Sequence, residues 1–166
     1  MPTAPFTSAE VVERYRILSE AFRAKGAPVI YIRVDLGGFL ELPVDASHHD
    51  PNAPPPRATA SEIAPCRFQV GDLLITKRHW GAFARTELEQ QLKQRGIETV
   101  VLGGITTNFG VEIYCSARYR PPLCIVKIED ACSSLDAHPL DRKPRDVSLR
   151  REGVRIVENV GDYFSI

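Results

Sequence analysis

The stretch from Val100 to Glu112, Val-Val-Leu-Gly-Gly-Ile-Thr-Thr-Asn-Phe-Gly-Val-Glu, constrains the chain more than any other. An apolar run breaks at Gly103-Gly104, and a polar Thr-Thr-Asn then leads into a segment of helical character, which reads as strand, turn and helix. In an α/β sheet the carboxyl end of a strand, facing the start of the next helix, is where ligands sit. Backbone N–H groups at a helix start lack partners within the helix and favour negative charge. Chemistry is therefore expected between Gly104 and Gly110.

The flanking elements agree with that reading. Thr7 and Glu10 have capping-box spacing, and Val11, Tyr15, Leu18 and Phe22 recur at intervals of three and four, so a helix is predicted from about Ser8 to Lys25, stopped by Gly26 and Pro28. Val29 to Val34 and Asp72 to Lys77 read as strands. Thr86 and Glu89 repeat the capping-box spacing ahead of Leu88, Leu92 and Ile97, with Gly96 as the stop. Further strands are predicted over Thr99–Leu102, Leu123–Ile128 and Val154–Val157, and a helix over Val111–Arg120 that Pro121-Pro122 terminates. Glu129 and Asp130 then fall at a strand's carboxyl end. Strands alternating with helices predict an α/β fold, a doubly wound and mostly parallel sheet.

Between Leu36 and Pro65, six prolines remove backbone donors and exclude a helix or central strand, leaving a long loop of lid, binding or disordered type. His48, His49 and Asp50 lie in it. Adjacent residues of an extended segment point apart, so the reading is a solvated loop and no metal site.

Length and charge bound the rest. A chain of 166 residues, 43% hydrophobic, supports one core, and the expectation is a single domain over 1–166. Zero net charge gives no electrostatic case for nucleic acid or an anionic membrane. No apolar run approaches a spanning helix and the N-terminus does not read as a signal peptide, so the predicted location is the cytoplasm. Cys66, Cys115, Cys124 and Cys132 have no close paired spacing, which argues against a zinc or redox motif. Cys115 and Cys132 read as buried small hydrophobes.

Three blocks in order resemble the isochorismatase-like hydrolase superfamily: Asp72-Leu-Leu-Ile-Thr-Lys77 with Trp80-Gly-Ala-Phe83; Thr86-Glu-Leu-Glu89 through Arg95-Gly-Ile-Glu-Thr-Val-Val-Leu102; and Gly104-Ile-Thr-Thr-Asn108 with Val111-Glu112 and Glu129-Asp130-Ala131. The resemblance implies a three-layer α/β/α fold with about six strands, its active site at their carboxyl ends. It implies that Lys77 is the active-site lysine, which pattern alone would read as a solvated strand-end residue. It also implies that Trp80 and Phe83 line the pocket or its rim, and that Ile105, Thr106, Thr107 and Asn108 form the substrate-binding turn, where the Ile105–Thr106 peptide is often cis. In the cysteine-hydrolase branch a thiol stands at the helix start, where a cation and the helix terminus lower its pKa.

Here that position is Gly110, and the uncharacterised hydrolase-like subgroup with glycine there is the most similar. The family's first strand, which lies mid-sheet and carries an aspartate, should precede the Ser8 helix, yet seven residues do so. Its absence would leave neighbouring strands with unpaired backbone groups. The simplest expectation is that the sequence starts downstream of it, the alternatives being a segment or chain that fills the gap, or a rearranged fold.

The implied activity is hydrolysis of a small molecule at an amide or enol-ether bond, with acid catalysis fitting Gly110 better than a covalent intermediate. The alternative is a non-catalytic binding or assembly protein on the same fold. A dinucleotide site is disfavoured because Gly103-Gly104 lacks the three-glycine spacing. No cofactor is implied, and a homo-oligomer, dimer or larger, is.

Overall fold

The computed structural model describes residues 3–35, 68–79, 81–105 and 123–134, and the backbone of 154–157. Helix α1, Ser8–Ala24, starts as its sequence requires: Thr7 Oγ1 accepts from the Glu10 N–H at 3.3 Å and Glu10 Oε2 accepts from the Thr7 N–H at 2.8 Å. Such a cap is worth about 1 kcal/mol. Gly26 closes the helix at φ 70, a conformation that side chains other than glycine's rarely adopt.

Strands β1 (Ile30–Val34) and β2 (Leu73–Lys77) pair in parallel, Ile30 opposite Leu73 and Val34 opposite Lys77. After α2 (Leu88–Gln94), β3 (Thr99–Ile105) pairs in parallel with β4 (Cys124–Ser133), and β4 with β5 (Val154–Val157). Among the described residues the strands thus form two sheets, ordered β1-β2 and β3-β4-β5.

Alternation along β3 places the layers. Val101 packs with Tyr15, Leu18 and Phe22 of α1 around Val126, Ile128 and Ala131. Val100 and Leu102 pack with Leu88 and Leu92 of α2 around Ile75. Successive side chains of a strand face opposite ways, so α1 and α2 cover opposite faces, as in a three-layer α/β/α arrangement. Ile30 and Ile32 of β1 join the α2-side cluster, while Tyr31 between them receives an Arg23 contact from α1 at 3.4 Å. Both halves of the sheet therefore lie between the same two helices.

Three expectations need correction. Thr86 and Glu89 do not form a capping box: Glu87 occupies the N-cap of α2 without a side-chain cap bond. The Thr86 hydroxyl instead donates to the Ala82 carbonyl and accepts from the Leu88 N–H at 3.3 Å, because the loop folds back on itself ahead of the helix. Strand β3 runs on through Gly103-Gly104 to Ile105, since its partner continues beside it. Glu129 and Asp130 lie inside β4, which extends to Ser133 through an irregularity where pairing shifts from Leu102–Lys127 to Gly104–Cys132.

Gly103 sits at that irregularity. A Cβ there would stand 2.7 Å from the Ala131 carbonyl oxygen and 3.1 Å from Tyr15 Cε1 and Oη. Gly103→Ala is expected to lower the urea-unfolding stability by about 1–3 kcal/mol through overpacking. An unchanged midpoint would show that the irregularity yields freely. No helix among the described residues is long and apolar enough to cross a membrane. The loop 36–65, the predicted Val111–Arg120 helix, Cys66 and Cys115 lie outside the described residues.

Candidate active site at the carboxyl ends of the strands

Lys77 ends β2 and is 7% exposed, so the solvated reading that pattern alone would favour does not hold. Its placement follows from the strand's alternation: two residues after Ile75, it lies on the α2 face. Burial lowers its pKa below the ordinary lysine value of 10.5.

That shift has a consequence for stability. The folded protein releases the Lys77 proton before the unfolded chain does, so between the two pKa values the unfolded state binds more protons and stability rises with pH. A Lys77→Met variant lacks this gain. The stability of wild type relative to the variant should therefore increase from neutral pH towards 10.5 in denaturant titrations, and parallel curves would contradict the burial effect.

Next to Lys77, Arg78 Nε and Asp35 Oδ2 lie 3.0 Å apart across the ends of β2 and β1. The Asp35 N–H donates to the Lys77 carbonyl at 2.9 Å, extending the ladder one step beyond the strands. A cation, a carboxylate and a buried amine thus meet at the carboxyl edge of β1 and β2. Asp35 and Arg78 were not singled out from sequence, because a charge after an apolar run is ordinarily a solvated end.

The other candidates separate. Ile105 ends β3 at the same edge of its sheet and is 40% exposed, which suits a residue at a ligand-facing margin. Phe83 packs with Ile30, Ile32 and Ile97 against the cluster of Ile75, Ala82, Leu88 and Leu92, so its ring serves the core between β2 and α2. Trp80, Thr106, Thr107, Asn108 and Gly110, with the Ile105–Thr106 peptide, lie outside the described residues, as do His48, His49 and Asp50.

Sequence reading missed a second buried lysine. Lys127 is 1% exposed in mid-strand, opposite Leu102, and hence on the α2 face with Lys77. The signal was its position inside Leu-Cys-Ile-Val-Lys-Ile, where an apolar run leaves no solvated side.

Asp130 is held rather than free. Arg14 Nε lies 3.1 Å from Asp130 Oδ2, and the guanidinium sits 4.3 Å from the centre of the Phe6 ring. The segment carrying Phe6 is itself fastened to the end of β4, with Ala4 and Ser134 exchanging backbone hydrogen bonds of 3.0 and 2.9 Å. Cys132, 4% exposed, is buried as expected. Among the described residues no three His, Cys, Asp or Glu side chains cluster in a way that could hold a metal.

Known proteins share this arrangement. The isochorismatase domain matches residues 1–144. The uncharacterized isochorismatase family protein YecD of Escherichia coli O157:H7 is 39% identical over 160 residues, covering 94% of this chain and 84% of YecD. An isochorismatase family protein from Burkholderia thailandensis superposes with a TM-score of 0.76 at 30% identity, covering 98% of this chain and 85% of that one. The ureidoacrylate amidohydrolase RutB of Stutzerimonas stutzeri is 40% identical over 55 residues, 33% of this chain and 21% of RutB. With parallel strands between two helical layers, and a domain match and a full-length relative on top of them, this chain belongs to the isochorismatase family.

Proposed function

We propose that the protein hydrolyses a small molecule at an amide or enol-ether bond, with Lys77 supplying positive charge beside the reacting centre. The observation that carries this reading is the burial of Lys77 at the carboxyl end of β2. Withdrawing an ammonium group from water is costly, and lysines are rarely buried unless paired or functional. The partial likeness to RutB, whose name is that of an amidohydrolase, favours the amide.

In this reading water is the nucleophile, because Gly110 has no side chain to attack with. The water oxygen bonds to the carbon, the carbon–nitrogen or carbon–oxygen bond breaks, and a general acid protonates the leaving group. Trp80, Phe83, Ile105, Thr106, Thr107 and Asn108 contribute the substrate-binding surface, and backbone donors of the turn stabilise the developing oxyanion.

The test is turnover on a panel of small amides and vinyl ethers. Lys77→Ala is expected to lower kcat/KM by about 100-fold on any substrate found, the scale of losing one charge-stabilising group. Unchanged kcat/KM would remove Lys77 from the mechanism. Gly110 also favours a second reading, a binding or assembly protein without turnover. Thermal stabilisation by panel members that are never consumed would favour that reading.

A further inference from the structure

β1 gives one edge to β2, and β3 gives one edge to β4. Among the described residues neither strand pairs through its other edge. Those two edges face one another. On one side of the sheet, Ile30 and Ile32 of β1 and Val100 and Leu102 of β3 pack against one cluster with Leu88 and Leu92 of α2. On the other side, Phe22 of α1 packs on the cluster with Val101, and the next residue, Arg23, reaches Tyr31 of β1. The interval between β1 and β3 is thus roofed by both helices, where an unpaired backbone N–H or C=O costs about 1–3 kcal/mol. A second observation lies at the same margin. Tyr15 Oη is buried without a hydrogen-bond partner and stands 3.1 Å from where a Cβ on Gly103 of β3 would be.

We propose that this interval is a strand-acceptor site, filled by one extended segment of about five residues carried ahead of α1, running parallel to β1 and β3 and apolar on both faces. Its direction follows from α1. The helix starts beside the end of β4, where Ala4 pairs with Ser134, and finishes beside the start of β2, where Arg23 holds Asp72. A parallel strand feeding α1 from the carboxyl edge and returning through it to β1 makes the favoured crossover connection. Its composition follows from its surroundings, since a strand covered on both faces is apolar at successive positions. The length is available in relatives: this chain spans 84% of YecD and 85% of the Burkholderia protein.

The test compares the 166-residue chain with two versions extended ahead of Met1, one by Val-Ile-Val-Ile-Val and a short Gly-Ser linker, the other with Val-Pro-Val-Pro-Val in its place. The apolar extension is expected to raise Tm by roughly 5–10 °C over the proline version. It should also slow exchange of the β1 and β3 amides that serve neither existing ladder by about tenfold or more. If the extended versions fail to fold, a lysine-flanked Val-Ile-Val-Ile-Val peptide added to the 166-residue chain should give the same protection, and its proline counterpart none. Equal Tm and equal exchange in all versions would overturn the proposal. So would protection of these amides in the unextended monomer, which would mean that another segment of the chain fills the site. Protection that appears only as the mass doubles would assign the site to a second copy and equally overturn it.

Discussion

Asp72→Ala is expected to destabilise the protein by about 3–5 kcal/mol, the range for removing one partner of a buried ion pair. Arg23 Nε and Nη2 lie 2.9 and 2.6 Å from the two Asp72 oxygens, and the aspartate side chain is only 3% exposed. Asp72 also accepts the Gln69 N–H at 2.8 Å, so its loss leaves a cation and a turn amide unpaired together. The pair fastens the last turn of α1 to the start of β2, whereas α1 otherwise packs on β3 and β4. Urea unfolding of wild type and variant at neutral pH reads the difference directly. A loss below about 1 kcal/mol would mean that the pair is replaced by water at little cost.

The same clamp sets an acid limit. Hydrogen bonds from Arg23 hold the Asp72 carboxyl below its ordinary value, against the opposing effect of burial and with help from the Gln69 N–H. A depressed carboxylate pKa contributes stability that is complete above the unfolded-state value near 3.8 and is lost as pH falls through the folded-state value. Wild type and Asp72→Ala should therefore converge in stability under acid, and curves that stay parallel would contradict the clamp.

Ile128→Ala should cost about 2–5 kcal/mol through the cavity it leaves. Ile128 is 0% exposed, packed among Leu18, Val126 and Ala131 with Tyr15 and Phe22 over them. It is also the first residue past the Leu102–Lys127 pair, where β4 departs from regular pairing with β3. Side chains around an irregular strand have little freedom to close a void, so the upper part of the range is expected. Near-neutral unfolding energetics would show that the cluster collapses around the smaller side chain.

The active-site hypothesis and the strand-acceptor site fail independently. Lys77→Ala reads chemistry at the end of β2, whereas amide exchange along β1 and β3 reads backbone pairing. A protein without turnover could still accept a strand.

Local signals in the sequence determined much of this protein. The Thr7–Glu10 cap, the apolar face of α1, the stops at Gly26 and Gly96 and the runs that became β1, β2 and β5 all rest on interactions within a few residues, which spacing reveals. The Thr86–Glu89 spacing misled because a hydroxyl with two available partners chose the Ala82 carbonyl and the Leu88 N–H, a choice made by the loop's path. Where β4 ends was likewise hidden. Polar Glu129 and Asp130 look like a strand terminus, yet Arg14 of α1 pairs with Asp130 and the strand continues beneath it.

Burial of lysines was the other decision left to tertiary structure. Lys77 and Lys127 carry the same charge in sequence as any solvated lysine, and only strands closing over one face withdraw them from water. A sequence records which groups can be paired; whether a charge is desolvated depends on residues far along the chain, because burial is a property of the packed layers.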